Sequence, residues 1–432
     1  MTYEILRNTI SAGGIDAALR TGLAVPEERI PAERERYAAA LAAFGELYGT
    51  EGEISLYSVG GRSEISGNHT DHNHGRVIAA SVNLDILAFA RPTDDGVVSV
   101  KSAGFPEDIV SPAAIDAPDP DRFFTSAAII AGMQKAFCKA GYKVGGFRAY
   151  TTSNVLKGSG VSSSAAFEVM IGNILNHLYN DGRVSNVEIA KMAQFAENVY
   201  FGKPCGLMDQ TACAVGGFIT IDFADPTSPV IEKMDFDLTA AGYSLCIVNT
   251  GGNHADLNED YASVPAEMKA VARALGVSVL RETTEEAVLA NIVRLREEVG
   301  DRAILRALHF FGENRRVAAQ VEALRAGDIE AFKAGVTASG NSSFKYLQNV
   351  YTNKNIAEQG LSLALCLTED FLAGTGAVSR VHGGGFAGTA LAFVQKERLQ
   401  QFREGFEAVM GEGSCHVLAI RAEGGVLLEA CK

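Results

Sequence analysis

Tryptophan is absent from this 432-residue chain, and its seven cysteines are odd in number. They are scattered from Cys138 to Cys431 without a C-x-x-C pair, which argues against a disulfide scaffold and against a zinc knuckle. A reducing cytoplasm is the expected home. The missing tryptophan weakens a lectin-like reading, although tyrosine remains available to stack on a sugar. No run approaches the roughly 18 apolar residues of a membrane span. The opening Met1-Thr2-Tyr3-Glu4-Ile5 lacks the charged-then-apolar layout of a signal peptide, so no membrane partner is expected. Basic residues are outnumbered 38 to 52, and the net charge of −14 disfavours a nucleic-acid partner. It leaves room for a nucleotide, which needs only a local anion hole. With 47% hydrophobic residues the chain can build two or three real cores.

What is present is concentrated in four segments. In the first, Val155 to Ala166 places Gly158, Gly160, Ser162, Ser163 and Ser164 between a strand-like stretch (Phe147, Ala149, Thr151, Thr152) and a helical one. In the latter, Phe167, Met170, Ile171, Ile174, Leu175 and Leu178 recur at three- and four-residue steps. A glycine- and serine-rich loop opening onto a helix is an anion cradle, because unpaired N–H groups and the positive end of the dipole meet there. A Walker A loop is excluded, since no lysine follows Gly160, and a Rossmann loop wants a glycine where Ser163 stands. A serine-rich N-cap without a ligand is the bland alternative.

The second segment, Gly60 to Gly75, crowds Arg62, Asn68, His69, Asp71, His72 and His74 between two strands. It reads as a polar pocket gripping hydroxyls, with a metal site or a solvated turn as alternatives. In the third, Glu197 closes a helix on a small-residue face, and Asp209 follows Gly206-Leu207-Met208 among apolar neighbours. Glu197 is either a surface residue or a cation ligand. A buried acid wants a partner, and Arg62 is the candidate. Structural ion pair and catalytic base remain equally open for Asp209. In the fourth, His382-Gly383-Gly384-Gly385-Phe386-Ala387-Gly388 interrupts a strand pair and implies close backbone approach, to a ligand or to another loop.

Around these segments the spacing predicts a helix from Ala32 to Tyr48, with Tyr37, Leu41, Phe44 and Leu47 on one face. It also predicts strands at 54–59, 77–91, 216–223 and 243–249, and a capping box at Ser185-Asn186-Val187-Glu188. Residues 258–371 read as mostly helical, and 378–393 as strand, glycine turn, strand. The mixture points to two interleaved α+β domains.

In this order, the four segments resemble the galactokinase branch of the GHMP sugar and metabolite kinases. Gly61-Arg62 through Gly67-Asn68-His69-Thr70-Asp71-His72 is similar to the first family motif. Gly160-Val161-Ser162-Ser163-Ser164-Ala165 resembles the second, Pro204-Cys205-Gly206-Leu207-Met208-Asp209-Gln210 a galactokinase stretch, and Gly383 to Gly388 the third. The resemblance implies a two-domain α+β kinase with its active site in the cleft between domains. The expected boundaries are a leader at 1–31, an N-terminal domain at 32–215 and a C-terminal domain at 216–432. It implies ATP and Mg²⁺ as cofactor and metal, galactose as the sugar and its anomeric hydroxyl as the acceptor. Asp209 would take the proton and Arg62 would orient it. Asn68, His69, Asp71, Gly206 and Tyr261 would hold the sugar. Lys157, Gly158, Gly160, Ser162, Ser163, Ser164 and Ala165 would cradle ATP, and Ser164 and Glu197 would hold the metal. The family's motif glutamate is Asn68 here, its motif tyrosine is His72, and a basic residue common eight positions before the sugar-binding tyrosine is Asn253. Those departures leave open a kinase for a galactose relative (galacturonate, N-acetylgalactosamine or arabinose). A non-catalytic sugar and ATP sensor is a further alternative, although such sensors lack the serine–alanine dipeptide that Ser164-Ala165 supplies. Oligomeric state is not read from the sequence.

Overall fold

The computed structural model describes residues 1–155, 160–252 and 257–428. Its strands are β1 (Ser55–Ser66), β2 (Arg76–Thr93), β3 (Val98–Ser102), β4 (Glu107–Val110), β5 (Gly146–Ser153), β6 (Phe218–Asp222), β7 (Val230–Met234), β8 (Tyr243–Asn249), β9 (Val378–Val381), β10 (Thr389–Gln395), β11 (Cys415–Leu418) and β12 (Val426–Leu427). Two sheets result. The larger has the order β12-β1-β2-β5-β3-β4, with β6 also on β2 and β7 on β6; the smaller runs β11-β8-β10-β9. β2 is long enough to be shared, pairing β6 through Arg76–Ala80 and β5 through Ile86–Thr93.

Alternation along β1 and β2 sends side chains to two faces. Tyr57, Val59, Ile86 and Ala88 enter the main core, with helices Ser126–Lys139, Ser163–Tyr179, Asn186–Phe195 and Met208–Val215 supplying its helical side. Leu56, Leu87 and Phe89 face the other way, into a separate cluster with Leu6, Ile10, Leu19, Tyr37, Leu41 and Phe44. The expected leader is therefore folded. Helices Tyr3–Ser11 and Asp16–Thr21 cover the back of the sheet together with Ile30–Tyr48. That last helix starts two residues before its expected position, and Leu47, expected on its buried face, is 52% exposed, the neighbouring Tyr48 reaching Ser99 and Glu107 of the sheet instead.

The main core also receives Leu245, Ile247, Leu391 and Phe393 from the second sheet, so one apolar body joins the two halves. Phe332 carries the junction, stacked on Phe393 at 6.0 Å and edge-on to Phe218 at 5.9 Å between ring centroids. The sheets do not respect the expected boundary at 215. β6 and β7 lie beyond it yet complete the first sheet, and β12 returns from the far end to pair β1. Hydrogen bonding across residues far apart in sequence decides this, and no composition change marks it. The capping box forms as expected, with Ser185 and Glu188 exchanging bonds.

Because Ile10 is fully buried under the sheet, Ile10→Ala should cost about 2–5 kcal/mol. Urea unfolding of the full chain should show an earlier first transition, whereas a dispensable leader would leave it unmoved.

Candidate active site

β1 delivers Arg62 and the first turn of Met208–Val215 delivers Asp209. The guanidinium grips the carboxylate with both prongs, Nε donating to Oδ1 at 2.7 Å and Nη2 to Oδ2 at 2.9 Å. Its remaining nitrogen donates to the Gly160 carbonyl, and the Arg62 backbone N–H donates to the Val161 carbonyl at 3.0 Å. Ser162 closes the knot by donating its hydroxyl to Asp209 Oδ2. Gly160 and Ser162 both have left-handed backbone, φ 72° and 56°, a strained choice for serine. Ser162 stands at the N-cap of Ser163–Tyr179 but makes no side-chain cap, its hydroxyl being spent on Asp209. The helix start thus keeps its uncapped N–H groups, the arrangement an anion takes. Burial opposes ionisation of Asp209, but the Arg62 charge and the Arg62 and Ser162 hydrogen bonds outweigh it, holding the carboxyl below its ordinary range. About a third of that side chain (34%) remains exposed. Ser163, Ser164 and Ala165 open the helix; Lys157, Gly158 and Asn253 lie outside the described residues.

One helical turn after Ser164 stands Glu168, fully buried. The Gln210 amide bridges it to Glu197, donating to Glu168 Oε2 at 3.1 Å and to Glu197 Oε2 at 2.8 Å. Glu197 Oε1 accepts from Lys203 Nζ at 3.2 Å. Burial, then the neighbouring Glu197 charge, push the Glu168 carboxyl well above its ordinary value. Among the described residues, Glu168 Oε1 and Gln210 Oε1 are buried without a hydrogen-bond partner. An all-oxygen set with unused lone pairs fits a small hard cation such as Mg²⁺.

The loop between β1 and β2 forms the second wall. A Cβ at Gly206 would fall 1.8 Å from Asp71 Oδ2, so only glycine lets the loop before Asp209 lie against Asp71. His69 Nε2 meets the Gly384 carbonyl at 3.0 Å, and burial lowers its pKa to about 4, so the ring is neutral near pH 7. Tyr261 donates to the Gly385 carbonyl at 3.0 Å, and a Cβ at Gly384 would sit 2.6 Å from its ring. The glycine run therefore makes the close approach expected of it, and Tyr261 is one of the groups it approaches. His69, Asp71, His72 and His74 form no cluster able to hold a metal among the described residues.

Asn68 requires correction as a sugar ligand. It is fully buried, and its amide hydrogens donate to Glu64 Oε1 at 2.8 Å and the Gly383 carbonyl at 2.7 Å. Its oxygen accepts from Asn349 at 2.8 Å and Ser343 at 3.2 Å. An amide has no further capacity. Glu64, which accepts one of those amide hydrogens, is itself paired with Arg380 Nη2 at 3.0 Å. Helix Asp301–Arg325 clamps the same loop from the other half. Glu313 accepts from Gly67 N–H at 3.0 Å, His309 Nε2 meets the Asn68 carbonyl at 3.0 Å, and Asn314 accepts from Arg76 N–H at 2.7 Å. His382 spans the cleft, contacting Ser63 and Thr389 at 3.1 Å each.

An anion loop tied by its own carbonyl and hydroxyl to an acid–arginine pair is the layout of a kinase, and the two-sheet fold is that of the GHMP class. The family model described as GHMP kinases N terminal domain matches residues 127–217, and the galactokinase galactose-binding signature matches 42–92. The galactokinase of Streptomyces coelicolor is 33% identical over 357 residues, covering 82% of this chain and 87% of that protein. That of Clostridium tetani is 29% identical, covering 84% and 89%. A crystal structure of Lactococcus lactis galactokinase complexed with galactose superposes with a TM-score of 0.76 at 26% identity, covering 90% of this chain and 99% of that one. The chain belongs to the galactokinase family.

Of the expected site residues, the structure brings together Arg62, Asp209, Gly160 and Ser162, and places Asp71 against Gly206 and His69 and Tyr261 on the glycine run. Glu168, Gln210, Lys203, Glu313 and His309 were not anticipated. Only Glu168 carried a readable signal, four residues after Ser164 on a helix.

Asn68→Glu would bury a second carboxylate beside Glu64 and aim it at the Gly383 carbonyl. We expect a loss of about 3 kcal/mol or more, with Glu64→Gln in the same chain recovering part of it, as read by thermal unfolding of both variants. A sugar-facing residue 68 would instead change galactose kinetics with stability intact.

Proposed function

We propose that this chain transfers the γ-phosphoryl group of ATP to the anomeric hydroxyl of galactose. The observation that carries the proposal is the Arg62–Asp209 pair held at the mouth of the anion loop by Gly160 and Ser162. The new bond joins the sugar oxygen to phosphorus. The bond between γ-phosphorus and its bridging oxygen breaks, and ADP leaves with that electron pair. The hydroxyl proton passes to an Asp209 oxygen. A carboxylate held below its ordinary pKa is a weak base. Asp209 therefore orients the hydroxyl first and receives the proton late, as a loose transition state permits. Arg62 keeps Asp209 ionised and aligned. His69, Asp71 and Tyr261 hold the sugar beside Gly206.

Glu197 and a hydroxyl of the serine trio, Ser164 first, would hold Mg²⁺, with Glu168 and Gln210 behind them. Magnesium supplies neutralisation of the phosphate charge when bound with the nucleotide. Because Asn68 makes all its hydrogen bonds with protein groups, its departure from the family motif gives no reason to exchange galactose for galacturonate. The six described cysteines are free, in keeping with a cytoplasmic enzyme acting on small molecules.

In a coupled ADP-release assay with ATP and Mg²⁺, galactose should give the highest kcat/KM of a panel including galacturonate, N-acetylgalactosamine and arabinose. Asp209→Asn should lower kcat by about 10²-fold or more with ATP affinity unchanged; retention of a tenth of the rate would reduce Asp209 to a structural partner. The pH profile supplies a separate check. Asp209 has a depressed pKa, so it stays ionised above its ordinary value of 3.8 and gives no acid limb near neutrality. In Arg62→Met, burial acts without its main opponent. An acid limb should then appear above the ordinary carboxyl value of 3.8, the residual rate falling as pH drops through it.

A further inference from the structure

Lys203 sits on the loop between the two carboxylates of the site. Its backbone N–H donates to the Glu197 carbonyl at 3.2 Å, and its Nζ reaches Glu197 Oε1 at 3.2 Å. The base Asp209 follows six residues later, in the first turn of the next helix. The Glu197 side chain is 3% exposed and that of Lys203 57%, so the ammonium reaches the carboxylate from the solvent side. From inside, Gln210 already occupies the other Glu197 oxygen. The Cys205 thiol also bonds to Glu197, and Lys203 is the one charged partner the structure gives this carboxylate. Behind it lies buried Glu168, so two neighbouring carboxylates lean on this single ammonium. Its charge acts on Glu168, Glu197 and Asp209 alike. As a half-exposed ion pair the contact adds little to stability.

Building on the function proposed above, we propose that Lys203 is a further catalytic residue: its ammonium rests on Glu197 until a divalent cation takes that oxygen, then turns to the γ-phosphoryl oxygens of ATP. Glu197 as a metal ligand would have to offer the oxygen that Lys203 now holds, and two cations on one carboxylate oxygen repel. The lysine is anchored by its backbone while its four-carbon stem stays free. The released ammonium stays on the loop joining Glu197 to Asp209, the carboxylates that would serve the metal and the acceptor hydroxyl. A fixed positive charge there stabilises the charge spread over the transferring oxygens.

The test uses the full chain with Lys203→Met, which keeps the stem, Lys203→Arg, which keeps the charge, and Glu197→Gln as the ligand control. Free Mn²⁺ is counted by electron paramagnetic resonance without nucleotide, and kcat and KM are measured with galactose and ATP. Removing the competing ammonium should tighten Mn²⁺ binding about tenfold in Lys203→Met. The same variant should lose about 10²-fold in kcat, with the galactose KM unchanged. Lys203→Arg should keep the wild-type Mn²⁺ affinity and recover part of the rate, and Glu197→Gln should weaken Mn²⁺ binding. Wild-type Mn²⁺ affinity or wild-type kcat in Lys203→Met would overturn the inference. A wild-type chain that phosphorylates no sugar, while the Mn²⁺ difference persists, would overturn the proposed function and not the exchange at Glu197.

Discussion

The Arg62 guanidinium is the constraint on which the site depends. Three of its nitrogens are spent, two on Asp209 and one on the Gly160 carbonyl, while the same residue's backbone N–H holds Val161. A planar fork with fixed donor directions can do this and a flexible ammonium cannot. One side chain thereby sets the position of the acid, its ionisation and the near end of the glycine–serine loop relative to β1. Ser162 belongs to the same knot, and its left-handed backbone and missing helix cap follow from that commitment. The strain sits at the point where the loop meets Asp209.

A second constraint comes from the other half of the molecule. The loop between β1 and β2 is held at Gly67, Asn68 and Arg76 by three side chains of one helix, Glu313, His309 and Asn314. Glu313 is buried, and although burial works against it, the His309, Arg316 and Arg380 charges bring its pKa to about 2. It stays charged and keeps its grip on Gly67. With the Glu64–Arg380 pair and the His382 bridge, these contacts fix the β1–β2 loop relative to the second sheet. The cleft is thus a consequence of polar bonds laid over a shared apolar core, and neither half presents the complete site alone.

The elements with strong periodicity or cap chemistry were legible: the Ser163–Tyr179 helix, the capping box at Ser185, the β8 strand and the β9–glycine–β10 turn. So was the partnership of Arg62 with Asp209, because a buried acid among apolar neighbours requires a cation. Asn68 was misread because a polar residue in a polar loop gives no sign of which way it faces, and only its full set of protein partners shows that it turns inward. The leader was unreadable for a related reason. Its apolar residues have meaning only against Leu56, Leu87 and Phe89, which lie on the back of a sheet assembled from distant strands.

By itself the sequence determined which groups were available: a glycine- and serine-rich loop at a helix start, an acid with an arginine to match, a polar segment between two strands and a glycine run for close approach. These are local properties, written in residue type and spacing. Only the tertiary structure decided which groups meet. It placed β6, β7 and β12 in the first sheet, set Glu168 behind Glu197, laid Lys203 on the solvent side of that carboxylate and sealed Asn68 into protein hydrogen bonds. Most of those outcomes turn on contacts between residues tens to hundreds of positions apart, and the six-residue step from Glu197 to Lys203 depends on a loop whose path no local pattern records.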